Sequence, residues 1–162
     1  MTELDITFRD TVLPADPDAV REITESTGFF HDYEIDVAVE LVEERLSKGV
    51  QSGYHFIFAD LNGKTIAYAC YGPTPCTKDS FDFYWMAVLN EFRGKGIGKK
   101  LIRFTEDGCR KLGGKKLWLD TSSTDKYIPT RTLYLICGYI EAANLKDFYD
   151  DGDDKVIFLQ KL

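Results

Sequence analysis

The sequence predicts an α/β fold: a mixed (α+β) sheet of about seven strands flanked by about four helices. Three observations favour this class. Helical and strand patterns alternate in the order β-α-α-β-β-β-α-β-α-β-β, an early hairpin requires antiparallel pairing, and a later strand–helix–strand unit requires a parallel pair. With 162 residues and no repeat or linker, the chain is expected to form a single domain.

The first part of the chain predicts one strand and two helices. Residues 4–9 alternate apolar and polar side chains, as a half-buried strand does. Asp16 before Pro17 is typical of an N-cap with proline in the first helical position, and Gly28 should end that helix. Apolar residues at helical spacing predict a second helix that begins near Asp36.

A hairpin and a central strand are predicted next. Residues 54–61 and 65–71 are rich in β-forming side chains, and Asn62-Gly63 between them is a strong hairpin signal. The second run should break at the glycine and prolines of residues 72–75. Residues 81–89 are apolar at nearly every position, which indicates a central strand covered on both faces.

The second half predicts the longest helix and the remaining elements. That helix, residues 96–112, would place an apolar stripe against the sheet, formed by Ile97, Leu101, Phe104, Gly108 and Leu112. The other elements are a strand at 116–121, a short helix at 129–137, and strands at 139–143 and 155–161.

Composition excludes several function classes. A net charge of −7 disfavours nucleic acid and anionic membrane as partners. No stretch approaches the roughly 20 apolar residues of a membrane span, and the N-terminus does not resemble a secretory signal. The four cysteines form no C-x-x-C pair and lie far from the two histidines, so no metal site is expected. We therefore expect a reduced, cytoplasmic protein, either monomeric or homodimeric.

The clearest chemical signal is the segment Arg93-Gly94-Lys95-Gly96-Ile97-Gly98, which leaves the central strand and opens the longest helix. Its glycines allow backbone conformations closed to other residues, and the helix start presents unpaired N–H groups. Together these features predict a pyrophosphate site, with the main-chain amides through Lys99 as the principal ligands. Rossmann and Walker A patterns are excluded, because neither Lys99 nor Leu101 is glycine and Lys95 is followed by glycine.

The spacing of Arg93, Gly96 and Gly98 resembles motif A of the GNAT acetyltransferase family. Two further segments extend the resemblance. The run Trp85-Met-Ala-Val-Leu-Asn-Glu-Phe-Arg is similar to the family's fourth strand, and Leu133-Tyr-Leu-Ile-Cys-Gly-Tyr is similar to its late tyrosine motif. The resemblance implies an N-acetyltransferase domain over residues 1–162 that uses acetyl-CoA and no metal.

The resemblance also implies where acetyl-CoA binds. The molecule would lie between strand 81–89 and strand 116–121. Main-chain groups of Met86, Ala87 and Val88 would bind its pantetheine arm and point an N–H group at the thioester oxygen, which stabilises the developing oxyanion.

Two proton carriers are implied for the reaction. An amine with a pKa near 10.4 is only about 0.1% neutral near pH 7.4, so a base is useful. Asp120 is the first candidate, acting directly or through water, and Asp82 is the second. Tyr134 matches the family tyrosine that protonates the leaving thiolate. Many relatives carry asparagine where this chain has Tyr127, so the cofactor contact there is expected to differ.

The acceptor site is implied at the connection of the first two helices, including Phe30 and His31. Tyr84, Tyr127 and Arg131 are further candidates, and Arg131 would suit a substrate carboxylate. We expect a small amine or an amino-acid-like acceptor. The alternatives left open are a peptide N-terminus, a non-catalytic acyl-CoA-binding module, and a structural interaction protein.

Overall fold

A computed structural model describes residues 4–162 and contains a seven-stranded mixed sheet and four α-helices. In chain order the elements are β1 (Ile6–Arg9), α1 (Asp16–Ser26), α2 (Asp32–Lys48), β2 (His55–Leu61), β3 (Lys64–Pro73), β4 (Ser80–Val88), α3 (Ile97–Lys111), β5 (Lys116–Ser122), α4 (Ile128–Ile136), β6 (Ile140–Asp150) and β7 (Asp153–Lys161). The strands lie in the order β1-β2-β3-β4-β5-β7-β6. The predicted fold class and element order are confirmed.

The chain divides into two compact units. The first contains the residues up to Gly72 together with Tyr84–Thr105, and the second contains Pro73–Phe83 and Glu106–Leu162. Both β4 and α3 therefore contribute residues to each unit. A parallel register joins β4 to β5, whereas β1–β2, β2–β3, β5–β7 and β6–β7 are antiparallel.

The predicted hairpin is present in the first unit. Leu61 pairs with Lys64, which leaves Asn62 and Gly63 as the two turn residues. Their φ values of 51° and 79° are the left-handed values that a type I′ turn requires. The turn sets the pairing of Asp60 and Leu61, and a register shift between Ala59 and Asp60 precedes it in β2. Phe56 and Phe58, on the far side of that shift, are both buried. Burying each of these rings stabilises the fold by roughly 1.5–3 kcal/mol.

The predicted N-cap at Asp16 is wrong. The residue preceding α1 is Ala15, and Asp16 lies inside the first turn without capping it. Its carboxylate binds the Arg9 guanidinium at 2.7 Å and accepts the Leu13 N–H at 2.6 Å. Since Asp16 is only 2% exposed, a charged partner for it is expected.

The second helix begins four residues earlier than predicted, at Asp32 instead of Asp36. A capping box explains the difference: His31 is the N-cap, and its N–H donates to the Glu34 carboxylate at 2.7 Å. Gly49, with φ 64°, closes the helix.

The apolar stripe predicted for α3 is partly wrong. Phe104 and Leu112 are 42% and 49% exposed. The buried side of the helix instead consists of Ile97, Leu101, Ile102, Thr105, Glu106 and Cys109. Phe104 stacks on Phe8 of β1, with ring centroids 4.5 Å apart. A period of 3.6 allowed either stripe, and packing selected the one containing Ile102 and Cys109.

Strand β6 of the second unit is longer than the predicted 139–143, and all eleven of its residues are exposed. It ends the sheet and pairs with β7, with register shifts that include one between Leu145 and Asp150. Asp147 has φ 50° within this irregular part. A strand with neither face buried needs no alternation of apolar and polar residues. The sequence therefore did not indicate how far β6 extends.

The predicted break at residues 72–75 is also displaced, because β3 continues through Gly72 to Pro73. A Cβ atom at Gly72 would collide with the carbonyl oxygen of Gly53, so only glycine fits there.

None of the four cysteines, which all lie within residues 4–162, forms a disulfide, and of their thiols that of Cys76 alone is exposed. Burial raises the pKa of the Cys109 thiol to about 12. Within residues 4–162 no group of three or more potential ligand side chains could hold a metal ion. The described helices include none long and apolar enough to span a membrane.

Candidate active site

Residues 93–98, which we call the phosphate turn, comprise the exposed residues 93–96 and the first two residues of α3. Gly94 and Gly96 have φ values of 73° and 79°, a region that side chains with a Cβ rarely adopt. Ile97 is 2% exposed and anchors the turn in the core. The Lys100 N–H donates to the Gly96 carbonyl at 3.2 Å, so the helical hydrogen bonds begin here.

The phosphate turn presents unpaired donors to solvent. Because α3 begins at Ile97, the N–H groups of its first turn have no acceptor within the helix. They carry the positive end of the helix dipole. Gly94, Gly96 and the side chains of Lys95, Lys99 and Lys100 are exposed around them. An exposed helix start with glycines and lysines around it is the kind of site at which anions bind in proteins.

The basic side chains of the turn lie against aromatic rings. The Arg93 guanidinium lies 4.8 Å from the centroid of Phe29, and Lys95 Nζ lies 5.3 Å from that of Phe92. Such contacts hold each cation beside the turn. Positive charge is therefore held close to the start of α3.

Strand β4 carries the residues predicted to bind the pantetheine arm. Ala87 is buried, whereas Met86 and Val88 are partly exposed. Within the described chain, the register of β4 with β5 covers residues 80–82 and does not reach Met86, Ala87 or Val88.

Asp120 forms part of a polar cluster in the second unit. It lies on β5, 39% exposed, where it accepts a hydrogen bond from the Tyr149 hydroxyl at 3.0 Å and pairs with Lys155 Nζ at 3.1 Å. Lys155 Nζ in turn lies 4.6 Å from the centroid of the Phe148 ring. We call Asp120, Phe148, Tyr149 and Lys155 the Asp120 cluster. Its carboxylate is accessible and held in place by two donors.

Tyr134 lies on α4 and is only 8% exposed. Its ring packs edge-on against Phe158, with centroids 5.5 Å apart. Burial, together with the nearby charges of Asp120 and Tyr127, raises the pKa of Tyr134 well above its usual value of 10.0. The structure thus brings Tyr134, Asp120 and Tyr127 within electrostatic reach of one another. Tyr134 keeps its proton at neutral pH, as a proton donor must.

Arg131 has structural partners in this structure. Its Nη1 donates to the main-chain carbonyls of Ser122 and Thr124, at 2.7 and 2.9 Å. Asp153 braces the same loop by accepting from the Ser122 hydroxyl at 2.5 Å. This nitrogen thus fixes the loop after β5, whereas the sequence suggested a substrate carboxylate for Arg131.

The acceptor candidates of the first unit lie among aromatic side chains. The Phe30 ring is 5.1 Å from Trp85, and His31 stacks on Tyr33 with centroids 5.4 Å apart. Tyr84 meets Tyr54 edge-on at 5.5 Å. Since successive strand residues point to opposite faces, Tyr84 and Trp85 occupy opposite faces of β4.

Sequence reasoning did not identify Tyr149 and Lys155. In the structure Asp120 pairs with Ile157, which places Lys155 on the same face of the sheet, and this register is not readable from the sequence. Tyr149 follows a register shift in β6, so no periodicity could have placed its hydroxyl beside Asp120.

A sequence profile described as the acetyltransferase (GNAT) family matches residues 18–139 of the chain. No protein in the search of curated proteins matches significantly.

Solved structures resemble the chain over nearly its whole length. A GNAT-family protein from Desulfovibrio desulfuricans is 45% identical, with 96% of this chain and 98% of that chain covered and a TM-score of 0.94. The ribosomal-protein-S18-alanine N-acetyltransferase of Escherichia coli is 20% identical over 96% and 93% of the two chains, with a TM-score of 0.76. A Salmonella typhimurium protein solved with acetyl-CoA is 19% identical over 98% and 94%, with a TM-score of 0.77. The latter two show a common fold.

Proposed function

The chain belongs to the GNAT family of acetyltransferases, and we propose that it transfers an acetyl group from acetyl-CoA to a primary amine. The acceptor is proposed to be a small molecule or an amino-acid-like compound. The whole chain would act as one N-acetyltransferase domain, by direct attack of the amine in a ternary complex. Relatives of this fold include one solved with acetyl-CoA, which supports this choice of donor.

One observation carries the proposal: the phosphate turn combines two glycines at positive φ with an exposed helix start. The diphosphate of coenzyme A requires several donors that converge without intervening side chains. The glycines supply the close approach, and the first turn of α3 supplies the N–H groups. Neighbouring Lys95 and Lys99 add positive charge to a chain that is acidic overall.

The proposed chemistry uses the residues of the second unit as proton carriers. The amine nitrogen attacks the thioester carbonyl carbon, the new C–N bond forms, and the C–S bond breaks. The amine proton passes to Asp120, directly or through water, and the Tyr134 hydroxyl protonates the leaving thiolate. A main-chain N–H of Met86, Ala87 or Val88 stabilises the oxyanion that forms between these steps.

The first test is binding, followed by turnover. Isothermal titration calorimetry with acetyl-CoA should show one site per chain, and a dephosphorylated pantetheine analogue should bind far more weakly. Release of coenzyme A in the presence of an amine panel, followed with a thiol-reactive dye, should then exceed the rate without amine. The panel contains small amines, amino acid amides and short peptides.

Each outcome of these measurements has a distinct meaning. Absence of acetyl-CoA binding would overturn the proposal. Tight binding without amine-dependent release would indicate a non-catalytic acyl-CoA-binding module. Release with peptides alone would replace the proposed small acceptor with a peptide N-terminus.

A further inference from the structure

The two tryptophans differ in how their indole N–H groups are satisfied. Trp118 Nε1 donates to the Ser80 hydroxyl at 3.2 Å. Trp85 Nε1 is buried and has no hydrogen-bond partner among residues 4–162. Indole nitrogen is a donor only, so an oxygen or another acceptor is the sole group that can satisfy it. A buried donor without a partner is costly and unusual in a native structure.

The position of Trp85 in β4 singles it out further. Alternate residues of the strand share its face, and of these Phe83, Ala87 and the following Leu89 are buried. Trp85 is only partly buried, and its ring meets the partly exposed Phe30 at 5.1 Å. On this face of β4, Trp85 and its neighbour Phe30 are therefore partly exposed between buried residues. The indole N–H without a partner belongs to Trp85.

The buried hydroxyls of Tyr139, Thr74 and Thr105 differ from the indole N–H of Trp85. The Tyr139 hydroxyl interacts with the Glu106 carboxylate, and burial together with this carboxylate raises the pKa of Tyr139. The hydroxyls of Thr74 and Thr105 are also buried without a hydrogen-bond partner among residues 4–162, but a hydroxyl can rotate about its C–O bond and can accept as well as donate. The indole N–H of Trp85 has a fixed direction and no such freedom.

We propose that Trp85 Nε1 donates a hydrogen bond to an oxygen of the acceptor substrate, while Phe30 packs against the apolar part of that substrate. This inference rests on the proposed function and narrows it: the acceptor is an amine that carries a carbonyl or carboxyl oxygen on its carbon skeleton. The rings of Phe30 and Trp85 suit the apolar carbon skeleton of an acceptor substrate. The phosphates of acetyl-CoA are instead proposed to bind at the phosphate turn. The acetyl oxygen of acetyl-CoA could also accept the hydrogen bond from Trp85 Nε1. The experiment distinguishes that oxygen from an oxygen of the amine substrate.

The test compares Trp85→Phe with the wild type on two amines of the same skeleton. Phenylalaninamide carries the carbonyl oxygen, and phenethylamine lacks it. Loss of one neutral hydrogen bond should raise KM for phenylalaninamide roughly three- to tenfold. KM for phenethylamine and the Kd for acetyl-CoA should stay at their wild-type values.

Trp118→Phe is the matched control, because it removes the same indole from a site where the N–H already has a partner. It should lower the unfolding midpoint of the free protein and leave the KM ratio of the two amines unchanged. Trp85→Phe should lower that midpoint less than Trp118→Phe does, since the free protein loses no hydrogen bond there. Trp118→Phe also leaves Trp85 as the sole tryptophan, so its fluorescence reports acceptor binding directly.

Four results would overturn the inference. These are an equal KM change for both amines, a weakened Kd for acetyl-CoA in Trp85→Phe, a loss of free-state stability equal to that of Trp118→Phe, or a wild-type enzyme that acetylates neither amine. The second would assign the N–H to the acetyl group. A wild-type chain that fails to bind acetyl-CoA at all would instead refute the proposed function.

Discussion

The phosphate turn and the Asp120 cluster differ in the chemical groups that they would present to a ligand. In the turn, the groups offered to a ligand are main-chain amides, and the only side chain that is buried is Ile97. In the Asp120 cluster, the offered group is a carboxylate whose position depends on the hydroxyl of Tyr149 and the ammonium of Lys155. The first depends on backbone conformation, and the second depends on side chains from three strands.

This difference predicts opposite sensitivities. The turn should tolerate changes to its lysines better than changes to its glycines, because in the proposed binding mode the main-chain amides make most of the contacts. The cluster and Tyr134 should respond to changes of single atoms, because one proton position decides their chemistry. Acetyl-CoA affinity should follow the turn, and turnover should follow the second unit. The following predictions test that separation.

Tyr134→Phe should have the largest effect, a fall in kcat of about a hundredfold, as expected when a general acid is removed. The ring contact with Phe158 is retained, so the Kd for acetyl-CoA and the unfolding midpoint should change little. Because the pKa of Tyr134 is raised above 10.0, its deprotonation should not reduce the wild-type rate below about pH 10. Steady-state kinetics across pH check both points, and an unchanged kcat would remove the acid role.

Gly96→Val should weaken acetyl-CoA binding by about thirtyfold, since forcing a branched residue to positive φ costs about 2 kcal/mol. A Cβ at Gly96 would meet no atom within 4 Å, so the effect is conformational. Gly63→Val is the control, because Gly63 shares the φ of 79° and the open surroundings but lies in the hairpin. Calorimetry should show lost affinity only for Gly96→Val; equal affinities would refute the role of the turn.

Asp120→Asn should reduce kcat about tenfold near neutral pH, the low end for loss of a general base. The deficit should shrink as the pH approaches the pKa of the amine, because the acceptor then loses its proton unaided. Tyr149→Phe should give a smaller change in the same direction, since it removes one hydrogen bond to the carboxylate. If Asp82→Asn produces this pH profile and Asp120→Asn does not, the base is Asp82.

Lys95→Ala should have the smallest effect, a two- to threefold weaker Kd for acetyl-CoA, as is usual for an exposed charge. The loss of acetyl-CoA affinity in Lys95→Ala should be greater at low ionic strength, because charges are then less screened. A loss as large as that in Gly96→Val would show that side chains, and not main-chain amides, carry the phosphate binding.

Local signals made part of this structure predictable. The hairpin needs only Asn62-Gly63, and the start of α3 is marked by six consecutive residues, so both elements were found from the sequence. The binding role of the phosphate turn stays a prediction. The early start of α2 was missed because histidine is an uncommon N-cap, although Glu34 completes the capping box.

Long-range contacts were not predictable in the same way. Arg131 binds the loop carbonyls, and Tyr149 binds Asp120. Both contacts join chain segments that meet only after the sheet forms. Burial likewise could not be assigned within α3, where two stripes satisfied the same period. The Asp120 cluster therefore required the structure, whereas the turn did not.

The exposed thiol of Cys76 affects the assay that measures coenzyme A release with a thiol-reactive dye. A reagent that scavenges sulfhydryls will consume one equivalent per polypeptide before any catalysis, while Cys70, Cys109 and Cys137 are shielded. An initial jump in absorbance equal to the protein concentration is thus a stoichiometric blank and not a burst of acetyl transfer. Replacing Cys76 with serine should abolish that jump and leave the subsequent slope intact.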